Sequence, residues 1–180
     1  MTNRRTKVAI AALVGLSMLG ACGKGASTGA ETAAAPEAAA PAAEEALLPN
    51  GLTAKVQIET RQAQLKKMGK AFKTISDQLK SGSPDIAAIQ EAAASVPVES
   101  AGMEDWFPAG TGPDSGVKTD ALPVIWETPE DFAQKIADFR AASDNLAAVA
   151  AGGDLAAIGA AFGETGGACK SCHQTYRADD

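Results

Sequence analysis

The sequence predicts an all-α protein, an antiparallel four-helix bundle, and three observations carry that prediction. Beyond residue 50, apolar side chains recur at three- and four-residue spacing in four separate stretches. Those stretches are bounded by helix punctuation: Ser83-Pro84-Asp85 and Thr128-Pro129-Glu130-Asp131 as starts, Ser81-Gly82 and Gly152-Gly153 as breaks. The composition is rich in alanine and lacks clustered Val, Ile, Tyr and Thr, which favours helix over sheet.

The first helix is predicted roughly from Leu52 to Lys80, with Val56, Ala63, Leu65, Met68, Phe72, Ile75 and Leu79 on its apolar stripe. The second starts at Ser83-Pro84-Asp85, carries Ile86, Ile89 and Ala93 toward Val96, and is expected to stop at Pro97. Residues 98–127, rich in Gly and Pro, form a long connection with Trp106, Phe107 and Trp126 as anchors. The third helix begins at Thr128-Pro129, with the stripe Phe132, Ile136, Phe139, Ser143, Leu146 and Val149/Ala150. The fourth runs from near Asp154 to about Arg177. The short Gly-Gly link makes the third and fourth helices antiparallel neighbours.

The 180 residues suffice for one domain plus processing segments. Residues 1–7 carry Arg4, Arg5 and Lys7, and Val8 to Leu19 form an apolar run too short to span a bilayer, which needs about 20 residues. Leu19-Gly20-Ala21-Cys22 then resembles a bacterial lipobox, so residues 1–21 are expected to be a lipoprotein signal peptide and Cys22 the lipidated first residue. Gly23, rather than Asp, after the cysteine points to outer-membrane sorting. Residues 22–49, mostly Ala, Glu, Pro, Gly, Ser and Thr, read as a disordered tether that spans roughly 30 Å. The domain proper is 50–180, on the periplasmic side of the membrane and held there by the lipid alone. The formal charge is −6; without the three bases of the leader, 13 bases face 22 acids, a charge near −9. That excludes nucleic acid and a polybasic membrane patch as partners.

The chain has three cysteines and one histidine, and each falls in a motif. Beyond Cys22, they form Cys169-Lys170-Ser171-Cys172-His173, a CxxCH on an amphipathic helix. Two thiols can add across the two vinyl groups of a haem while the adjacent imidazole reaches the iron. Cys169 and His173, four apart, share a helix face, and Cys172 sits about 100° round from His173. A CxxC redox pair would need a βαβ context, and a zinc site would need further Cys or His ligands; neither is present. The sequence therefore implies one covalent haem c, held by Cys169 and Cys172, with His173 as axial iron ligand. Gly159, Gly163, Gly166 and Gly167 each cost up to about 1 kcal/mol of helix propensity, a cost that close approach of a helix or a flat porphyrin would explain. Phe162, eleven residues before His173, lies either on the haem side or in plain core.

With these residues on one chain, the domain resembles the cytochrome c′ family, class II c-type cytochromes with a C-terminal CxxCH on a four-helix bundle. The resemblance covers essentially 50–180 and rests on Arg61-Gln62-Ala63-Gln64-Leu65, Phe107-Pro108-Ala109-Gly110-Thr111, Asp120 to Trp126, and Cys-Lys-Ser-Cys-His-Gln-Thr-Tyr-Arg at 169–177. It implies that Arg61 pairs with a haem propionate, that Gln62 contacts the haem edge, and that Phe107 and Asp120 lie at the haem periphery. Set among apolar positions, Arg61 is expected to be partnered rather than solvated.

The resemblance also divides members by the position four residues after the arginine. A methionine there gives low-spin electron carriers. An apolar residue there closes the distal face and leaves five-coordinate iron that binds nitric oxide and carbon monoxide. Here the position is Leu65, with no lone pair to offer. Met68, one turn further, reads as a packing methionine, or in the alternative as the ligand of an electron carrier; Met103 is the more remote candidate. Arg177, four residues after His173, is placed on the same helical face, beside the proximal side or capping the helix end. Two function classes follow: a haem protein that binds small gaseous ligands, and an electron carrier serving a redox partner protein. Many relatives pair into homodimers. No acid, base or nucleophile constellation is visible, so an enzyme is not expected.

Overall fold

A computed structural model describes residues 46–179. The expected signal peptide, Cys22 and most of the expected tether lie outside the described residues. The described chain starts four residues inside that tether: Leu47 forms an isolated bridge with Thr53, and the Leu48 amide donates to the Leu52 carbonyl at 2.8 Å.

Five helices follow, with no strand among the described residues: α1 Ala54–Leu79, α2 Ile86–Glu99, α3 Val124–Glu127, α4 Pro129–Ala151 and α5 Leu155–Tyr176. Single 3₁₀ turns at Met103–Asp105 and Pro113–Ser115 punctuate the long connection. The four long helices form the predicted bundle, with α1 packed on α2, α2 on α4, and α4 on α5. The one-turn helix α3 lies inside the stretch read as connection.

The helix starts follow local chemistry. Thr53, Asp85 and Asp154 cap α1, α2 and α5 by accepting backbone N–H bonds from Val56, Ala88 and Ala156/Ala157. Asp85, not Ser83, caps α2, so Pro84 precedes the helix rather than opening it. Pro129 is the first residue of α4, but Thr128 does not cap it; its hydroxyl reaches back to the Val124 carbonyl at 3.0 Å. Between α4 and α5, Gly153 takes a φ of +76°, a conformation that favours glycine. Pro97 does not stop α2, which continues to Glu99. A proline near the C-terminus forfeits only one ladder bond, and the last turn closes when the Ser100 amide donates to Val96 O at 3.0 Å.

The stripe predicted for α4 is the observed one: Phe132, Ile136, Phe139, Ser143, Leu146 and Ala150 are all buried. That of α1 is not. Its buried residues are Gln57, Ile58, Arg61, Met68, Ala71 and Ile75, while Ala63 is exposed and Val56 and Leu65 are 44% and 37% exposed. The apolar residue buried in the N-terminal half is Ile58, which the predicted stripe left out. This half of α1 lies against the connection, whose carbonyls need donors. Gln57 Nε2 donates to the Trp106 carbonyl at 3.2 Å, and Gln62 Nε2 to that of Lys118 at 3.1 Å. The connection is anchored as expected by its aromatics. Trp126 Nε1 donates to the Phe107 carbonyl at 3.0 Å, and its ring lies so close to Gly112 that a Cβ there would sit 3.0 Å from it.

Phe162 settles into core, 5.3 Å from the Phe72 ring centroid. The glycines of α5 do not serve close approach of another helix: a Cβ on Gly159, Gly163, Gly166 or Gly167 would meet nothing within 4 Å among the described residues.

Candidate functional site

The last two turns of α5 bring the CxxCH residues to the mouth of an apolar cleft. Cys169 and Cys172 are half-buried free thiols, while His173 is exposed. The turn between the cysteines is tied to α4 by Lys135, whose Nζ donates to Ser171 Oγ at 3.0 Å. Below it, Tyr176 is buried and donates its hydroxyl to Asp131 Oδ2 at 2.6 Å. Phe132 stacks edge-on between Tyr176 and Phe107, with centroids 4.9 and 5.0 Å away.

Arg177 lies beside His173, as expected: its amide donates to the His173 carbonyl at 3.2 Å, and both residues line the cleft. It leaves α5 in extended conformation (φ −119°, ψ 137°) and forms an isolated bridge with Ala121. That bridge is flanked by Leu122 N to Tyr176 O at 3.0 Å and Ala178 N to Asp120 O at 2.8 Å. The Arg177 Nε then stands 3.8 Å from Asp120 Oδ2. Asp120 and Arg177, 57 positions apart in sequence, meet at one edge of the cleft.

The cleft has a volume of about 160 Å³. Helix α1 supplies Arg61, Gln62, Leu65 and Met68; the connection supplies Met103, Phe107, Thr119 and Asp120; α5 supplies Cys169, Cys172 and His173. Every residue singled out in the sequence as cofactor- or iron-binding lines this one cleft. Lys135, Phe132, Ile136, Tyr176 and Thr119 line it as well. For Phe132 and Ile136 the apolar stripe was a usable signal. Lys135, Tyr176 and Thr119 had none.

Arg61 is only 2% exposed. Its Nη1 donates to Thr111 Oγ1 at 2.8 Å, and its Nη2 to Thr111 O at 2.7 Å and Thr119 Oγ1 at 2.8 Å. The Phe107 ring covers it, 4.5 Å from the guanidinium carbon. The expectation that Arg61 is partnered therefore holds, with the connection as the partner seen. Burial lowers its pKa to about 10.

The protonation states suit a haem. Burial, and then the neighbouring Cys172, push the Cys169 thiol up to about 11. Burial likewise raises Cys172, against the opposing pull of Lys135. Both stay protonated at neutral pH, as addition across a vinyl requires, since the thiol hydrogen ends on the second vinyl carbon. Partial burial, and then the Arg177 charge, lower the pKa of His173 and favour the neutral imidazole that ligates iron. Two thiols and an imidazole on the edge of an apolar cleft fit a covalently held macrocycle. Among the described residues no group of three or more His, Cys, Asp or Glu could hold a bare metal ion.

A family model described as Cytochrome C′ matches residues 56–177. The chain belongs to the cytochrome c′ family. Like other cytochromes c′, it carries covalently bound haem c, for which Cys169, Cys172 and His173 form the motif. It is 40% identical over 131 residues to cytochrome c′ of Allochromatium vinosum, covering 71% of this chain and 84% of that one. It is 47% identical over 74 residues to cytochrome c-554 of Cereibacter sphaeroides, where the match spans 41% of this chain and about half (55%) of the relative. Among solved structures it resembles the nitric oxide complex of a leucine-to-alanine mutant of cytochrome c prime from Alcaligenes xylosoxidans. The TM-score is 0.64 at 31% identity, over 71% of this chain and 97% of that one.

Proposed function

We propose that this cytochrome c′ is a periplasmic binding protein for nitric oxide and carbon monoxide, with a five-coordinate haem iron held by His173. The observation that carries the reading is Leu65. It lines the cleft from α1, and by resemblance it stands where sulfur-ligating relatives carry methionine. When bound, the haem supplies an iron with an open axial position and one-electron redox chemistry. The chain supplies the rest. Cys169 and Cys172 fix the macrocycle, His173 is kept neutral, and Leu65, with no lone pair and no hydrogen to donate, bounds an apolar face. Such a face stabilises weakly polar nitric oxide and carbon monoxide but offers no hydrogen bond to dioxygen. That a solved relative is a nitric oxide complex supports the reading.

An electron carrier for a redox partner protein is the second reading. Met68 favours it, being 6% exposed and lining the same cleft as His173. Neither reading assigns catalysis.

Titrating the ferrous protein with each gas tests the proposal. Carbon monoxide and nitric oxide are expected to shift the Soret band at micromolar concentration, while dioxygen forms no stable complex. A stable dioxygen complex, or no response to carbon monoxide, contradicts it. Anchoring through Cys22 completes the proposal. Cys22→Ser is expected to move the protein from the membrane to the soluble fraction, and an unchanged membrane fraction counts against the anchor.

A further inference from the structure

Residues 47–52 stand ahead of the stretch that the family model matches, 56–177. They close a turn of their own, with the Leu48 amide on the Leu52 carbonyl at 2.8 Å and the Gly51 amide on the Leu48 carbonyl at 2.9 Å. From that turn they touch the long connection in two places. The first is a relay of amides. The Leu52 amide donates to Asn50 Oδ1 at 3.2 Å, and Asn50 Nδ2 donates to Gln57 Oε1 at 3.0 Å. Gln57 Nε2 then donates to the Asp105 and Trp106 carbonyls at 3.4 and 3.2 Å. Gln57 is buried, and its amide has one oxygen and one NH₂ to offer. It keeps the NH₂ on the two carbonyls while a donor stands at its oxygen, and Asn50 is that donor. The second contact is apolar: half-buried Leu48 covers Gly110, where a Cβ would stand 3.5 Å from Leu48 Cδ2. Between these two points lies a wall of the haem cleft, since Met103 and Phe107 both line it.

We propose that residues 47–52 form a strap that sets the 103–111 wall of the haem cleft, with Asn50 as a positioning residue acting through the Gln57 amide. Asn50→Asp is the sharp probe. The aspartate keeps the oxygen that accepts from Leu52 and puts a second oxygen where the donor stood. Gln57 then turns its amide over, and its oxygen meets two carbonyl oxygens with no hydrogen between them, which is costly in a buried place. The wall is released at Asp105 and Trp106 while the turn of the strap is kept. Arg61 and Trp126 still hold it at the Thr111 and Phe107 carbonyls, so it loosens rather than unfolds. A loosened wall admits water. Water stabilises the added positive charge on the iron of oxidised haem, so the midpoint potential falls.

The inference needs haem in the cleft but no particular iron coordination, so it stands or falls apart from the gas-binding reading. Wild type, Asn50→Asp, Gln57→Ala and the double variant are compared as full-length holo proteins by hydrogen exchange with mass spectrometry and by redox titration. The amides to watch are Asp105 and Trp106, which close the turn on the Gly102 and Met103 carbonyls at 2.9 and 3.2 Å. In Asn50→Asp, exchange of peptides covering 103–111 is expected to rise about tenfold, exchange in α4 to stay at the wild-type value, and the potential to fall. The double variant is expected to match Gln57→Ala alone, because Asn50 acts through Gln57. A rise confined to 47–53, a rise shared by every helix, an unchanged potential, or effects of the two substitutions that add, overturns the inference and leaves Asn50 merely structural. Asn50 is exposed, and should the aspartate variant not accumulate, Asn50→Ala, which removes the donor without adding charge, is read against the same outcomes.

Discussion

Replacing both Cys169 and Cys172 by alanine is expected to abolish covalent haem, so that no haem stain survives denaturing electrophoresis. Each thioether forms when a thiol adds across a vinyl group: sulfur bonds one carbon, the thiol hydrogen goes to the other, and nothing leaves. Both thiols sit at the cleft and are held protonated by burial. Among the described residues no other cysteine exists, so no other side chain can replace them. His173→Ala gives the complementary result, with haem attached but without its axial imidazole, and the optical spectrum changes while the stain remains. A double cysteine variant that keeps its stain would refute the attachment.

The second large effect lies across the cleft. Leu65→Ala is expected to speed entry of carbon monoxide by tenfold or more, equivalent to about 1.4 kcal/mol off the barrier, read by stopped-flow mixing with the ferrous protein. Leu65 is 37% exposed, so its truncation should cost less stability than the 2–5 kcal/mol typical of a buried leucine. The kinetic and thermal effects thereby separate. Leu65→Met places a thioether at the position and is expected to give a low-spin, six-coordinate spectrum. Unchanged entry rates in Leu65→Ala would show that Leu65 does not close the distal face.

The parts of this molecule that could be read from sequence are those set by local spacing. The CxxCH motif, the α4 stripe from Phe132 to Ala150, and the Gly152-Gly153 break depend on neighbours within a turn or two. What could not be read depends on distant chain. Gln57 is buried because the Trp106 carbonyl, 49 positions away in sequence, needs its donor. A reading that seeks apolar stripes passes over it in favour of Val56 and Ala63, which are exposed; Arg61 was read as partnered, but its partners Thr111 and Thr119 were not. Helical periodicity puts Phe162 on the face of His173, but eleven residues also separate them by about 16 Å along the axis, where Phe72 is the available partner. For Arg177 the spacing of four predicts its place beside His173 but not its partner Asp120, which the pairing of 176–178 with 120–122 brings up.

The central claim is that the distal face is closed by Leu65 and the iron is five-coordinate. Met68 stands one turn, about 5 Å, beyond Leu65 along α1, and serves as packing in this account. Resonance Raman spectroscopy of the wild-type protein in both oxidation states tests the claim most directly. The account predicts five-coordinate, mainly high-spin haem in each. Low-spin haem in both states, with the signature of methionine sulfur on iron, would contradict it, make Met68 the ligand and leave the electron carrier as the function.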